Sequence, residues 1–125
     1  MNKYFLLLSI FVLAMTTLNA QNNDKVLRHV VLFKFKETSI AADIKKVEDA
    51  FRSLPSKISV IKSLEWGTNN SPENLAQGFT HCFFVTFANE KDRDIYLPHP
   101  EHKAFGKLLG PHLDKVLVVD YWAEK

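Results

Sequence analysis

Cysteine is nearly absent: Cys82 is the only one in the chain, so no internal disulfide can staple the fold. Stability must come from a packed core, with a partner chain as a further source. Cys82 itself reads as a small buried hydrophobe. Neither sign of charge dominates, with 16 basic against 14 acidic side chains, and that balance leaves no electrostatic footprint for nucleic acid. Long apolar runs are also missing. The one candidate, Tyr4 to Met15, is broken only by Ser9 and falls short of the roughly 20 residues that a membrane helix needs, which argues against a stable membrane anchor.

That short run has another reading. It follows Met1, Asn2 and Lys3, whose lysine is the only charge before Asp24, and it leads to the small residues Thr16, Thr17 and Ala20. A basic start, an apolar centre and a small-residue cut site outline a secretory signal peptide, with cleavage expected after Ala20. No cysteine stands near the cut to receive a lipid. The chain is therefore expected to be exported, periplasmic or secreted. Removing 20 of its 125 residues leaves 105, room for one domain and no second. The organisation expected is a signal peptide at 1–20, a polar leader at 21–25 and a domain at 26–125.

Within the domain, Leu27, His29, Val31, Phe33 and Phe35 alternate with Arg28, Val30, Leu32, Lys34 and Lys36, the period of a strand. Thr38 or Ser39 can cap a helix whose stripe is Ile40, Ile44, Val47, Phe51 and Leu54, with Pro55 as its stop. A second strand is expected from Val60 to Trp66, and a long loop from Thr68 to Gly78, of the kind that often lines a site. A third strand, Thr80 to Phe87, is apolar on both faces. Asn89 can cap a helix over Glu90 to Leu97; the Pro98-His99-Pro100 turn then leads to a further helix, Glu101 to Leu109, closed by Gly110-Pro111. The last strand, Lys115 to Trp122, again has two apolar faces. The order predicts a ferredoxin-like α+β layer, an antiparallel sheet with helices on one face. No residues remain to cover the second face, so a second copy of the chain is expected on it, a homodimer.

The first-strand segment Leu27 to Phe35, the segment Gly78-Phe79-Thr80-His81, the run Tyr96-Leu97-Pro98-His99-Pro100-Glu101-His102-Lys103-Ala104-Phe105 and the pair Asp120-Tyr121 together resemble the stress-responsive dimeric A/B barrel family. The resemblance spans nearly the whole mature chain and implies two such layers pairing into a dimeric α/β barrel. It implies no single activity, since a shared fold does not fix chemistry. One member, a plant polyketide cyclase, closes a linear polyketide thioester by intramolecular aldol condensation. Its pattern implies His102 as base and Tyr96 beside the substrate, with His29, His81, His99 and Asp120 as supporting polar positions.

The residue chemistry is compatible with those roles. His102 falls in the first turn of a helix, where the backbone dipole disfavours a positive charge and leaves an imidazole able to accept a proton. Abstracting a proton between two carbonyls needs such a base and a donor for the forming enolate, which the Tyr96 hydroxyl can supply. No metal or organic cofactor is required. His29 and His81 lie on apolar strand faces and, if neighbours, would form with Asp120 a polar cluster in an apolar pocket suited to a small hydrophobic or phenolic ligand. His99 and His102, three apart, also invite a metal reading, but His99 sits between prolines and no cysteine or carboxylate pair completes a set, so no metal site is expected. The competing reading is a non-enzymatic stress or assembly protein, in which His102 caps backbone groups and Tyr96 packs its ring.

Overall fold

A computed structural model of the chain describes residues 25–124. The expected signal peptide and most of the polar leader, residues 1–24, lie outside the described residues. Strand β1 (Leu27–Phe35) follows its alternation: Leu27, His29, Val31 and Phe33 are buried, and Arg28, Val30, Leu32 and Lys34 are half-buried. It pairs antiparallel with β3 (His81–Phe87) on one side and β4 (Leu113–Trp122) on the other. Strand β2 (Ser63–Thr68) lies outside β3, so the sheet order is β2-β3-β1-β4 with β2 and β4 at the edges. Helices α1 (Ala41–Lys57), α2 (Glu90–Tyr96) and α3 (Pro100–Leu109) complete the expected ferredoxin-like α+β layer.

Local boundaries differ from expectation where tertiary packing overrides local signals. Ile40, not Thr38 or Ser39, is the N-cap of α1 and makes no side-chain cap bond; the Ser39 hydroxyl donates instead to the His112 carbonyl at 3.1 Å. Ile40 is 61% exposed and Ile44 half-buried, so the buried stripe narrows to Val47, Phe51 and Leu54. Pro55 does not stop the helix. Its fixed φ is helical and it forfeits a single N–H near the end, so α1 continues until the Ile58 N–H closes on the Leu54 carbonyl at 2.8 Å and Ile58 enters the core. Strand β2 begins at Ser63 rather than Val60, after Ile61 has turned into the core. Strand β4 begins at Leu113, with a register shift opposite Lys34 and Phe35.

The helices pack on the face that presents Phe33, Phe83 and Val85. Phe51 of α1 stacks on Phe83 of β3 with centroids 4.0 Å apart, and Phe105 of α3 meets the Phe51 ring edge-on at 4.9 Å. Fully burying a Phe side chain contributes about 1.5–3 kcal/mol relative to leaving it exposed. The opposite face carries Val30, Leu32, Cys82 and Phe84, half-buried, and Leu117, Val119 and Tyr121, exposed. At one corner of this face the Arg28 guanidinium lies over the Phe84 ring and donates to Thr86.

Candidate functional site

Antiparallel register sets His29 of β1 directly opposite Asp120 of β4. His29 Nδ1 lies 2.7 Å from Asp120 Oδ1, and because a carboxylate accepts, that nitrogen carries the proton. The other carboxylate oxygen accepts from Arg93 Nη1 at 3.1 Å, so α2 is tied into the same group. Arg93 was not singled out by the sequence. Its signal is the three-residue spacing to Tyr96, which puts both on one side of α2.

Tyr96 closes α2 and is only 1% exposed, with its ring 5.8 Å from His29 and 4.3 Å from His102. Burial pushes its phenol well above the ordinary value, so at neutral pH it is a hydrogen-bond donor and not a base. His102 lies in the first turn of α3, as expected. Its Nδ1 is 2.9 Å from the Leu97 carbonyl, an oxygen that can only accept; Nδ1 therefore donates, and in the neutral ring Nε2 holds the lone pair.

His29, Tyr96, His102 and Asp120 line one cavity of about 360 Å³ between the sheet and the helices. Its remaining wall is apolar and includes Val31, Phe33, Phe51, Phe105, Leu109, Val116 and Val118. The His29–Asp120 rung and the Phe33–Val116 rung are four residues apart in register, roughly 13 Å along the strands. The cavity is thus graded, polar at the rung nearest Tyr96 and aromatic at the rung beneath Phe105.

Two expected site residues stand elsewhere. His81 opposes Phe33, not His29, so the two strand histidines do not meet. Its Nε2 donates to Glu48 of α1 at 2.8 Å and its Nδ1 accepts from the Thr80 hydroxyl at 2.8 Å. It borders a separate cavity of about 260 Å³ with Thr68, Asn69 and Phe79, on the side of the long loop. Glu48 was also missed; it directly follows Val47 at the border of the buried stripe, where a carboxylate can reach a strand histidine. His99 does not line the large cavity either. It is the N-cap of α3, its Nδ1 accepting from the Glu101 N–H at 3.1 Å, which satisfies one of the unpaired donors of that helix. Among the described residues no group of three His, Cys, Asp or Glu is arranged to hold a metal ion. Cys82 is half-buried on the opposite sheet face rather than in the core; burial, with Glu65 nearby, raises its thiol and keeps it protonated, a poor nucleophile.

Residues 27–123 match the sequence model of the Stress Responsive A/B Barrel Domain. The stress-response A/B barrel domain-containing protein HS1 of Arabidopsis thaliana is 37% identical over 94 residues, covering 75% of this chain and 86% of that protein. Olivetolic acid cyclase of Cannabis sativa is 29% identical over 98 residues, 78% of this chain and 97% of the cyclase. Among solved structures, the hydroxynitrile lyase of Passiflora edulis superposes with a TM-score of 0.76 at 26% identity, over 81% of this chain and 95% of the lyase. A dimeric ferredoxin-like protein of unknown function from Bacteroides fragilis superposes with a TM-score of 0.65 at 32% identity, over 78% of this chain and 96% of its own.

Proposed function

Because the chain belongs to the stress-responsive A/B barrel domain family, we propose that it is an exported homodimer whose cavity binds a small, neutral, mostly apolar carbonyl compound and moves a proton on it. The observation that carries this reading is the tautomer of His102. With Nδ1 committed to the Leu97 carbonyl, Nε2 is the basic nitrogen of a side chain that lines the cavity beside Tyr96. His102 Nε2 takes a proton from carbon between two carbonyls, and the C–H electron pair moves into the enolate, whose oxygen accepts a hydrogen bond from the Tyr96 hydroxyl. In a cyclisation the enolate carbon attacks a second carbonyl of the same molecule, and the resulting alkoxide takes its proton back from the imidazolium. Asp120, at the same end of the cavity, stabilises the transient positive charge, while the aromatic end holds the tail of the ligand. His29 belongs to this machinery through Asp120; His81 and His99 serve the fold.

Two relatives support a reaction over passive storage, since one is a cyclase and the other a lyase acting on hydroxynitriles. The dimeric relative at 32% identity supports pairing, as does the exposed apolar strand β4. Among the described residues no helix is long and apolar enough to cross a membrane. The test is exchange of the α-protons of a β-ketoacyl thioester in deuterated buffer, followed by NMR. Wild-type protein accelerates the exchange, and His102→Ala loses about 10²- to 10⁴-fold, the range for a general base. Equal rates for both proteins, each folded, would remove His102 from the mechanism.

The alternative, a non-enzymatic assembly protein, draws on the same exposed strand: apart from Asp120 it is apolar on both faces, with Val116 and Val118 on one and Leu117, Val119 and Tyr121 on the other. It predicts that no thioester or phenolic acid raises the melting temperature.

A further inference from the structure

The large cavity has an unequal wall. On its β1 side Val31 and Phe33 are buried, whereas on its β4 side Val116 and Val118 are 50% and 49% exposed although they line the same space. The cause is topological. Strand β4 is an edge of the sheet, and no residue of it belongs to the buried core; only its ends, Leu113 and Trp122, pack partly against that core. The cavity is therefore open along β4. The reverse face of the same strand is exposed through Leu117, Val119 and Tyr121, and among the described residues no strand neighbours its outer edge, whose backbone donors and acceptors are left free of sheet pairing. An edge that is long, apolar on both faces and unpaired invites another strand-bearing chain.

We propose that the second copy of this chain that covers β4 is also the missing wall of the cavity, so that the site is complete only in the dimer. This rests on the homodimer reading above. A second copy is favoured over a different partner because the sheet's other edge, β2, likewise has no outer neighbour among the described residues and so offers a matching strand, and because a relative at 32% identity is dimeric. Closure has two chemical consequences. Water leaves the space around His102 and Tyr96, which strengthens every electrostatic contact there. Ligand and partner also become thermodynamically linked: whatever binds better in the closed cavity tightens the dimer by the same factor, and the dimer tightens the ligand.

His102 is a suitable reporter because it lies on α3, across the cavity from β4, so a partner that touches only the reverse face of β4 leaves it as reachable as before. The experiment follows carbethoxylation of His102 by diethyl pyrocarbonate, read by peptide mass spectrometry, over a dilution series of the wild-type protein whose dimer fraction is measured by sedimentation. The expected result is a rate at least tenfold slower in the dimer than in the monomer. Val119→Lys, on the face away from the cavity, supplies a second monomer, in which His102 reacts at the fast rate at every concentration. If the protein dimerises and His102 reacts equally fast throughout, the closure is wrong while the dimer stands. If wild-type protein stays monomeric at every concentration, the homodimer and the closure fall together. The dilution series decides the matter even if Val119→Lys fails to fold.

Discussion

Tyr96 shows how one residue can serve the core and the site at once. Its ring touches Phe87, His29 and His102, and burial holds the phenol protonated well beyond its ordinary value of 10.0. The same burial makes a prediction. An unfolded chain releases that proton near pH 10 while the folded chain keeps it, so Tyr96 contributes stability below pH 10 that is lost as pH rises further, by at most about 1.4 kcal/mol per pH unit. Urea unfolding between pH 9 and 11 should therefore fall less steeply for Tyr96→Phe than for wild type. Parallel curves would mean that the hydroxyl reaches solvent. His102 and His99 make the complementary point. Both belong to one short run, yet one donates to a carbonyl and keeps a basic nitrogen, and the other spends its Nδ1 on capping α3.

Elements are held in register around the cavity by Asp120, which accepts from His29 of β1 and Arg93 of α2 while belonging to β4. Removing its carboxylate leaves the buried His29 N–H without its acceptor and leaves Arg93 paired with Asp94 alone. Asp120→Ala should cost about 1–3 kcal/mol in urea unfolding, and Asp120→Asn, whose amide oxygen still accepts from His29, should recover most of it. An Asp120→Ala variant as stable as wild type would show that the link does not hold the elements. Helix α2, which delivers both Arg93 and Tyr96, starts at Asn89, whose side chain accepts from the Asp92 N–H at 2.9 Å, so the expected cap is also the first anchor of the site. The His81–Glu48 pair does the same work at the far end, fastening α1 to β3.

At the scale of the whole molecule the deciding feature, among the described residues, is one sheet with helices on one side only. Its exposed edge strand β4 falls beside the cavity, and on that juxtaposition rests the proposed link between assembly and binding. The proposed export bears on the same balance: outside the cell a single thiol offers no internal disulfide, so stability would rest on the core and on the proposed partner. Expressed in a host able to secrete it, the protein should appear outside the cytoplasm with a mass lacking residues 1–20. Full-length protein retained in the cytoplasm would sink the signal-peptide reading.

The strand alternations, the Asn89 cap, the helix that follows the Pro98-His99-Pro100 turn and the ferredoxin-like order were all legible in the sequence, because each depends on neighbours within a few residues. The need for a cover on the second face was legible too, since it follows from counting apolar faces against helices. Which histidines meet was not. Alternation tells which face a strand residue occupies but not which rung it shares, and antiparallel pairing set His29 opposite Asp120 and His81 opposite Phe33. Nor could spacing assign the roles of His99 and His102, which were decided by the backbone groups left unpaired where α2 ends and α3 begins. Local chemistry chose the elements and their faces; long-range register and the uneven cover of the sheet made a graded cavity from them, open along one edge.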